Sequence, residues 1–234
     1  RYRSRVGAAT RPHPKSLEYH MPKVGMEPIR RRQLIDATIA SIHEEGLANT
    51  TLSQISRRAG LSTGIVSHYF QDKAGLLQAT MRSLTESLRR RVIVHLARAG
   101  TPEGRVLAVI DASFAPDQCA PEVVTAWLSF WAQVGQSCEL ARIQRIYERR
   151  LASNLLDALR RLLPAGEARR LAAGLAALID GLWLRSALTG GALAPDAARA
   201  LARDYFTTQL AALRDEGHTR PTNGELMREK GSER

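Results

Sequence analysis

Only two cysteines, Cys119 and Cys138, occur in the 234 residues. That is too few for a disulfide framework in a chain of this length, which excludes the small disulfide-stapled secreted folds and points to a reducing cytoplasm. Aromatic residues are scarce, at 5%. Strand signals are almost absent, so sheet architectures are not expected. Long apolar runs are missing as well. The longest, LAAGLAALIDGLWL, is broken by Asp180 and is shorter than the ~20 residues a helix needs to cross a bilayer. Residues 1 to 20 contain no apolar signal core. No membrane association is therefore expected. Catalytic signatures are lacking too. The histidines at 13, 20, 43, 68, 95 and 218 show no metal-ligand spacing, neither cysteine sits in a nucleophile signature, and no Gly-rich phosphate loop follows a strand. The expectation is a non-enzyme without catalytic residues, metal or cofactor.

What is present is positive charge. Lys and Arg number 34 against 23 Asp and Glu, a formal +11. Five of the cations and one acid fall in residues 1 to 20, leaving +7 on the remainder, which still favours a polyanionic partner. Residue 1 is Arg and a fresh MPKVGM opens at Met21, so residues 1 to 20 are expected to precede the natural start as a disordered extension.

Helical periodicity dominates the rest. Leu34, Ile35, Thr38 and Ile42 recur at steps of three and four, which predicts a helix from about Ile29 to Gly46 with Pro28 in its first turn. Thr51-Leu52-Ser53-Gln54 fits a capping box that opens a short helix bearing Leu52, Ile55 and Ala59 on one face. Gly60 suits a left-handed stop. Ser62 is placed to cap a third helix, on which Val66 and Phe70 point the same way. Two short helices across a glycine turn make a helix-turn-helix over residues 51 to 70.

With Val66 and Phe70 facing inward, Thr63, Gly64, Ser67, His68 and Ile65 face away, with little bulk and several hydrogen-bonding groups. Small residues at a helix start let the backbone approach base edges in a major groove. Ile65 suits a thymine methyl. Hydroxyls, Tyr69, Lys73 and the helix N-termini at Thr51 and Ser62 suit phosphates. Arg30, Arg31 and Arg32 add a positive cluster. The same periodicity is equally compatible with a helix pair that never touches DNA.

The run TTLSQISRRAGLSTGIVSHYFQDKAGLL, preceded by RRRQLIDATIASIHEEGL, resembles the N-terminal DNA-binding domain of TetR-type repressors over about fifty contiguous residues, including Gly46, Thr51, Ala59, Gly60, Phe70, Lys73 and Leu77. The order Ser67-His68-Tyr69-Phe70 departs from the family's usual ring order. Lys73 stands where the family places a phosphate contact. MPKVGMEPIRRRQLIDAT, STGIVSHYF, AWLSFWA and AALIDGLWLR further resemble the choline-responsive members that repress glycine betaine synthesis genes in osmotic protection. The resemblance implies an all-α fold of about nine helices. It comprises an N-terminal three-helix helix-turn-helix domain (28–75) and a C-terminal ligand-binding and dimerisation domain (76–214). A disordered tail is expected over 215–234. The implied partners are double-stranded palindromic operator DNA, read by recognition helices about 34 to 36 Å apart in a homodimer, and choline as effector.

The second half reads as helices from Leu76 to about Ala99, from Thr101-Pro102, after a loop from Asp117 to Pro121 over 122–136, over 139–163 ending at Pro164, and over 166–189 and 195–214. In the family the last two pair with their copies in a four-helix bundle, which Ala-rich surfaces allow. A quaternary ammonium donates no hydrogen bond and is best held by ring faces, each contributing about 0.5 to 2 kcal/mol, with a carboxylate nearby. Trp127, Phe130, Trp131, Trp183 and Tyr147 are candidate rings, and Asp180 or Asp111 the charge. Each ring taken singly is better read as a core residue, and only the group suggests a ligand. Asp180 is hard to explain inside ALIDGLWL unless it meets a ligand, pairs with Arg185 or caps a backbone group. Another small organic cation, or a DNA-binding dimer without a ligand, fits the residues too.

Overall fold

The computed structural model describes residues 25–189 and 193–219. Among these residues there are nine α-helices and no strand, as expected. They are α1 (Met26–Asn49), α2 (Leu52–Arg58), α3 (Thr63–Phe70), α4 (Lys73–Leu96), α5 (Pro102–Ser113), α6 (Pro121–Val134), α7 (Cys138–Leu159), α8 (Ala165–Leu188) and α9 (Pro195–Thr219). The extension over 1–20 and the tail beyond 219 lie outside the described residues. The last helix itself runs five residues past the expected end at 214.

Local signals act much as read. Helical geometry in α1 is interrupted at Gly46 (φ 75°, ψ 157°), a conformation open to glycine. The Thr51 capping box forms, with Gln54 N–H on the Thr51 hydroxyl at 3.2 Å and Thr51 N–H on Gln54 Oε1 at 2.7 Å. Gly60 turns the chain at φ 66°. Ser62, by contrast, heads α3 without a side-chain cap bond. The α2–α3 corner is tied instead by the Thr63 and Ser56 hydroxyls, 3.2 Å apart.

The start of α4 comes three residues earlier than periodicity predicts. Asp72 caps it by accepting from Gly75 N–H at 2.7 Å, a polar signal that an apolar pattern starting at Leu76 does not contain. Between α3 and α4 stands Gln71, at φ 66° and ψ −61°, in a one-residue turn closed by Asp72 N–H on Phe70 C=O at 2.8 Å.

Three apolar clusters stack along the molecule. Leu34, Ala37, Ile55, Val66, Phe70 and Leu76 knit α1 to α4, with Val66 and Phe70 inward as expected. A second cluster joins Ile42 of α1 and Met81 and Leu84 of α4 to Trp127 and Phe130 of α6. The third fills the space among α5, α7, α8 and α9. Thus α1 and α4 both cross from the helix-turn-helix half into the other half. By length and composition alone, α8 is long and apolar enough to cross a membrane, longer than the run that carries its signal. Its Ala168, Leu171, Leu175 and Ile179 are buried in the third cluster.

Candidate nucleic-acid interface and ligand cavity

The outer side of α3 is built from small groups. Thr63, Gly64, Ser67 and His68 are exposed, as is Ser62 ahead of them. Ile65 and Tyr69 are half-buried and pack partly against the first cluster, so they face the outside less than expected. The His68 and Tyr69 rings meet edge to face at 5.1 Å. Thr51 is exposed, but its hydroxyl is already engaged in the capping box.

The expected cations are partly committed elsewhere. Arg31 donates to the Tyr69 carbonyl at 2.8 Å and lies 4.5 Å over the Phe70 ring, so it braces α3 against α1. Arg32 pairs with Asp36 at 2.9 Å. Lys73 donates to the Leu47 carbonyl at 3.1 Å, fastening the end of α1 to the start of α4. An ammonium has three donors, so this bond leaves it able to meet a phosphate as well.

In the other half, three elements bring rings together. Trp127 and Trp131 of α6 lie 5.9 Å apart, Trp127 is 5.5 Å from Tyr147 of α7, and Trp131 is 5.4 Å from Trp183 of α8. These four rings and Asp180 line one small cavity of about 30 Å³. Ser113 and Gln118 close another side of it. The Gln118 contribution is not signalled by the sequence, because it comes from a loop over residues 114–120 with no periodicity. An adjoining groove between α4 and α7 shares Leu88, Ser113 and Tyr147 with the cavity.

Asp180 is partnered by neither Arg185 nor a backbone group. Tyr147 donates its hydroxyl to Asp180 Oδ1 at 2.6 Å. Burial pushes the Asp180 carboxyl above the usual carboxylate range, the Tyr147 hydrogen bond works against that, and the nearby Glu148 charge adds to it. Burial, and then the Asp180 charge, pushes the Tyr147 phenol well above its ordinary value, so it remains a donor.

Two expected members stand elsewhere. Phe130 is fully buried in the second cluster and does not line the cavity. At 3.6 residues per turn it leaves Trp127 about 60° to one side of α6, whereas Trp131 leaves it about 40° to the other. Asp111 is taken by Arg203 of α9, whose Nη1 donates to both carboxylate oxygens at 2.6 and 2.8 Å. That pair ties α5 to α9 and gives the cavity no charge.

The chain matches two family models. Residues 34–80 match "Bacterial regulatory proteins, tetR family", and residues 102–211 match "BetI-type transcriptional repressor, C-terminal". The HTH-type transcriptional regulator BetI of Serratia proteamaculans (strain 568) is 50% identical over 203 residues, covering 86% of this chain and all of the relative. The fold is similar to that of a transcriptional regulator from Pseudomonas aeruginosa PAO1, with TM-score 0.70 at 27% identity over 79% of this chain and 91% of the other. It is also similar to that of a regulator from Saccharomonospora viridis solved in complex with choline, with TM-score 0.69 at 18% identity over 77% and 97%.

Proposed function

The chain belongs to the TetR family of bacterial transcriptional regulators, with a C-terminal half of the BetI repressor type, and from that premise we propose that it represses choline-to-glycine-betaine genes and is controlled by choline bound in its aromatic cavity. It is a DNA-binding transcriptional repressor and not an enzyme.

One observation carries the effector: four rings from three helices line one cavity with a part-buried carboxylate. Ring faces and Asp180 offer attraction to a permanent cation that can donate no hydrogen bond from its head. The relatives' BetI designation and the choline complex of a protein with this fold agree with that choice.

On the DNA side, Thr63 and Gly64 approach bases, while Ser67, His68, Tyr69 and Lys73 meet bases or phosphate. The dimer forms through α8 and α9. Ala173, Ala177 and Gly181 give α8 an exposed small-residue face, and Leu188 (67% exposed) and Leu201 (51%) are large apolar groups without cover in the single chain. Residues up to about 75 thus act as the reader and those from 76 as sensor and dimer contact, in a cytoplasmic protein. Choline between α4, α6, α7 and α8 shifts α4 and α6 and so alters the separation of the two recognition helices.

A gel-shift on DNA upstream of the chain's own gene, at fixed salt, tests the proposal. A shifted band that weakens as choline is added is the expected outcome. A band unchanged by saturating choline, together with unchanged tryptophan emission, rules choline out.

A further inference from the structure

Within the cavity, two polar side chains are left over after the ring and carboxylate chemistry has been used, and Ser113 spends its hydroxyl proton on the Val109 carbonyl at 2.9 Å. Gln118 is only 5% exposed, yet it lines the cavity alongside Asp180 and Trp127. A turn fixes its backbone, its N–H donating to the Ala115 carbonyl at 2.8 Å. Its side-chain Nε2 donates to Asp117 Oδ2 at 3.1 Å, and Arg91 of α4 holds Asp117 Oδ1 at 2.7 Å. A carboxylate accepts and cannot donate, so the amide must present its NH₂ to Asp117 and turn Oε1 away from it. That oxygen takes no hydrogen bond from any described residue. Nor is it sealed in packing, since Arg105 Nε is the one fully enclosed polar side-chain atom without a partner among the described residues. Gln118 thus brings to the cavity wall an amide oxygen that has no donor among the described residues.

Choline carries a single donor, its hydroxyl, at the end opposite the ammonium. We propose that Gln118 is a specificity-determining residue whose Oε1 accepts the ligand hydroxyl, selecting a hydroxyl-bearing quaternary ammonium over one that ends in a methyl or a carboxylate. The inference rests on the cation reading of the cavity. A methyl in that place leaves the buried acceptor unpaired, which a polar site penalises strongly. A carboxylate, as in glycine betaine, sets acceptor against acceptor and adds a second negative charge to the cavity of Asp180. The cavity accordingly separates the alcohol from its fully oxidised relative.

The test compares choline, n-propyltrimethylammonium, in which a methyl replaces the hydroxyl, and glycine betaine, by calorimetry at one pH and salt. Choline is expected to bind about tenfold or more tighter than the propyl analogue, with glycine betaine weaker still. Gln118→Met keeps the volume and removes the amide acceptor. It should bring the two cations to near-equal affinity, chiefly by weakening choline, while operator binding without ligand is retained. Gln118→Asn draws the acceptor back by one methylene and should narrow the ratio as well; it decides the matter where the Met variant fails to fold. Equal affinity of the two cations for the unaltered protein overturns the Gln118 role and leaves the cation reading standing. A tenfold ratio that survives both substitutions overturns it too. Binding of neither cation overturns the cation reading, and this inference with it.

Discussion

Gly64 lies on the exposed side of α3, and a methyl built on its Cα meets no atom within 4 Å. Gly75 is the opposite case, since its Cβ would come within 2.2 Å of the Phe70 carbonyl oxygen, a backbone atom that cannot step aside. The fold therefore demands Gly75 and not Gly64, although a helix-interior glycine costs about 0.5–1 kcal/mol relative to alanine. Close approach of DNA, as proposed above, supplies a reason for Gly64. Gly64→Ala should stabilise the free protein by about that amount in a denaturant titration, and weaken operator binding in the same preparation. Stability gained with affinity unchanged would remove Gly64 from the interface. Asp180 makes a comparable argument through its charge. With its folded pKa raised, the native state holds the proton more tightly than the unfolded chain does. Its carboxylate thus opposes folding above the raised pKa, and that penalty fades as pH falls through it toward the ordinary range. A bound cation favours the ionised form. Choline affinity should then decline as pH drops through the raised pKa, with protons released on binding there, as buffers of different ionisation enthalpy would reveal. Asp180→Asn can still accept from Tyr147. It should bind choline on the order of tenfold more weakly, without that pH dependence, and be more stable at neutral pH.

At the scale of elements, the joint between α3 and α4 holds the one positive-φ non-glycine residue among the described residues. Gln71 holds φ 66° and ψ −61°, a region that costs a non-glycine residue roughly 1–3 kcal/mol. Gln71→Gly relieves that strain but enlarges the unfolded ensemble. A net gain of about 1 kcal/mol in unfolding free energy, seen as a higher urea midpoint, is expected, and a loss would mean the turn relaxes in solution. This joint also marks how far sequence reading reaches. Thr51 with Gln54, Thr101 with Pro102, and Gly60 were legible because each signal acts within four residues. Asp72 as the α4 cap was obscured, since the apolar repeat begins only at Leu76. The loop that holds Gln118 was legible from Asp117 to Pro121, but its earlier start, where α5 ends at Ser113, has no local pattern to announce it. Contacts between distant residues were out of reach. Asp111 and Asp180 looked alike as carboxylates in apolar helices, and only the packing of α9 and α7 gives one to Arg203 and the other to Tyr147. Trp127 and Trp131 could be paired by helical spacing, whereas the separation of Phe130 from them depends on which side α1 occupies.

Across the whole molecule, the ligand cavity and the DNA-reading helix share structural members. Trp127 lines the cavity, and its helix α6 also carries Phe130, which packs with Ile42 of α1 and Met81 and Leu84 of α4 in one buried cluster. His43 of α1 and Thr125 of α6 add a 3.0 Å hydrogen bond across the same junction. On the proposed mechanism, a displacement of α6 by ligand would pass to α1 through these close-packed side chains, in parallel with α4. Linkage requires the coupling to be mutual: if saturating choline weakens operator binding by some factor, saturating operator weakens choline binding by the same factor. All three tryptophans line the cavity, so intrinsic emission reports it without interference from elsewhere. Phe130 then separates sensing from transmission. Phe130→Leu loosens the junction at a stability cost of about 1 kcal/mol or somewhat more, but alters no cavity wall. Choline titrated against this variant should show an affinity within a few-fold of the original protein, with or without operator present, because the coupling factor shrinks toward one. Trp127→Ala should do the reverse, losing choline affinity while operator binding persists. Should Phe130→Leu lose choline binding as deeply as Trp127→Ala, then Phe130 acts as a wall of the site and the junction is not where the signal crosses.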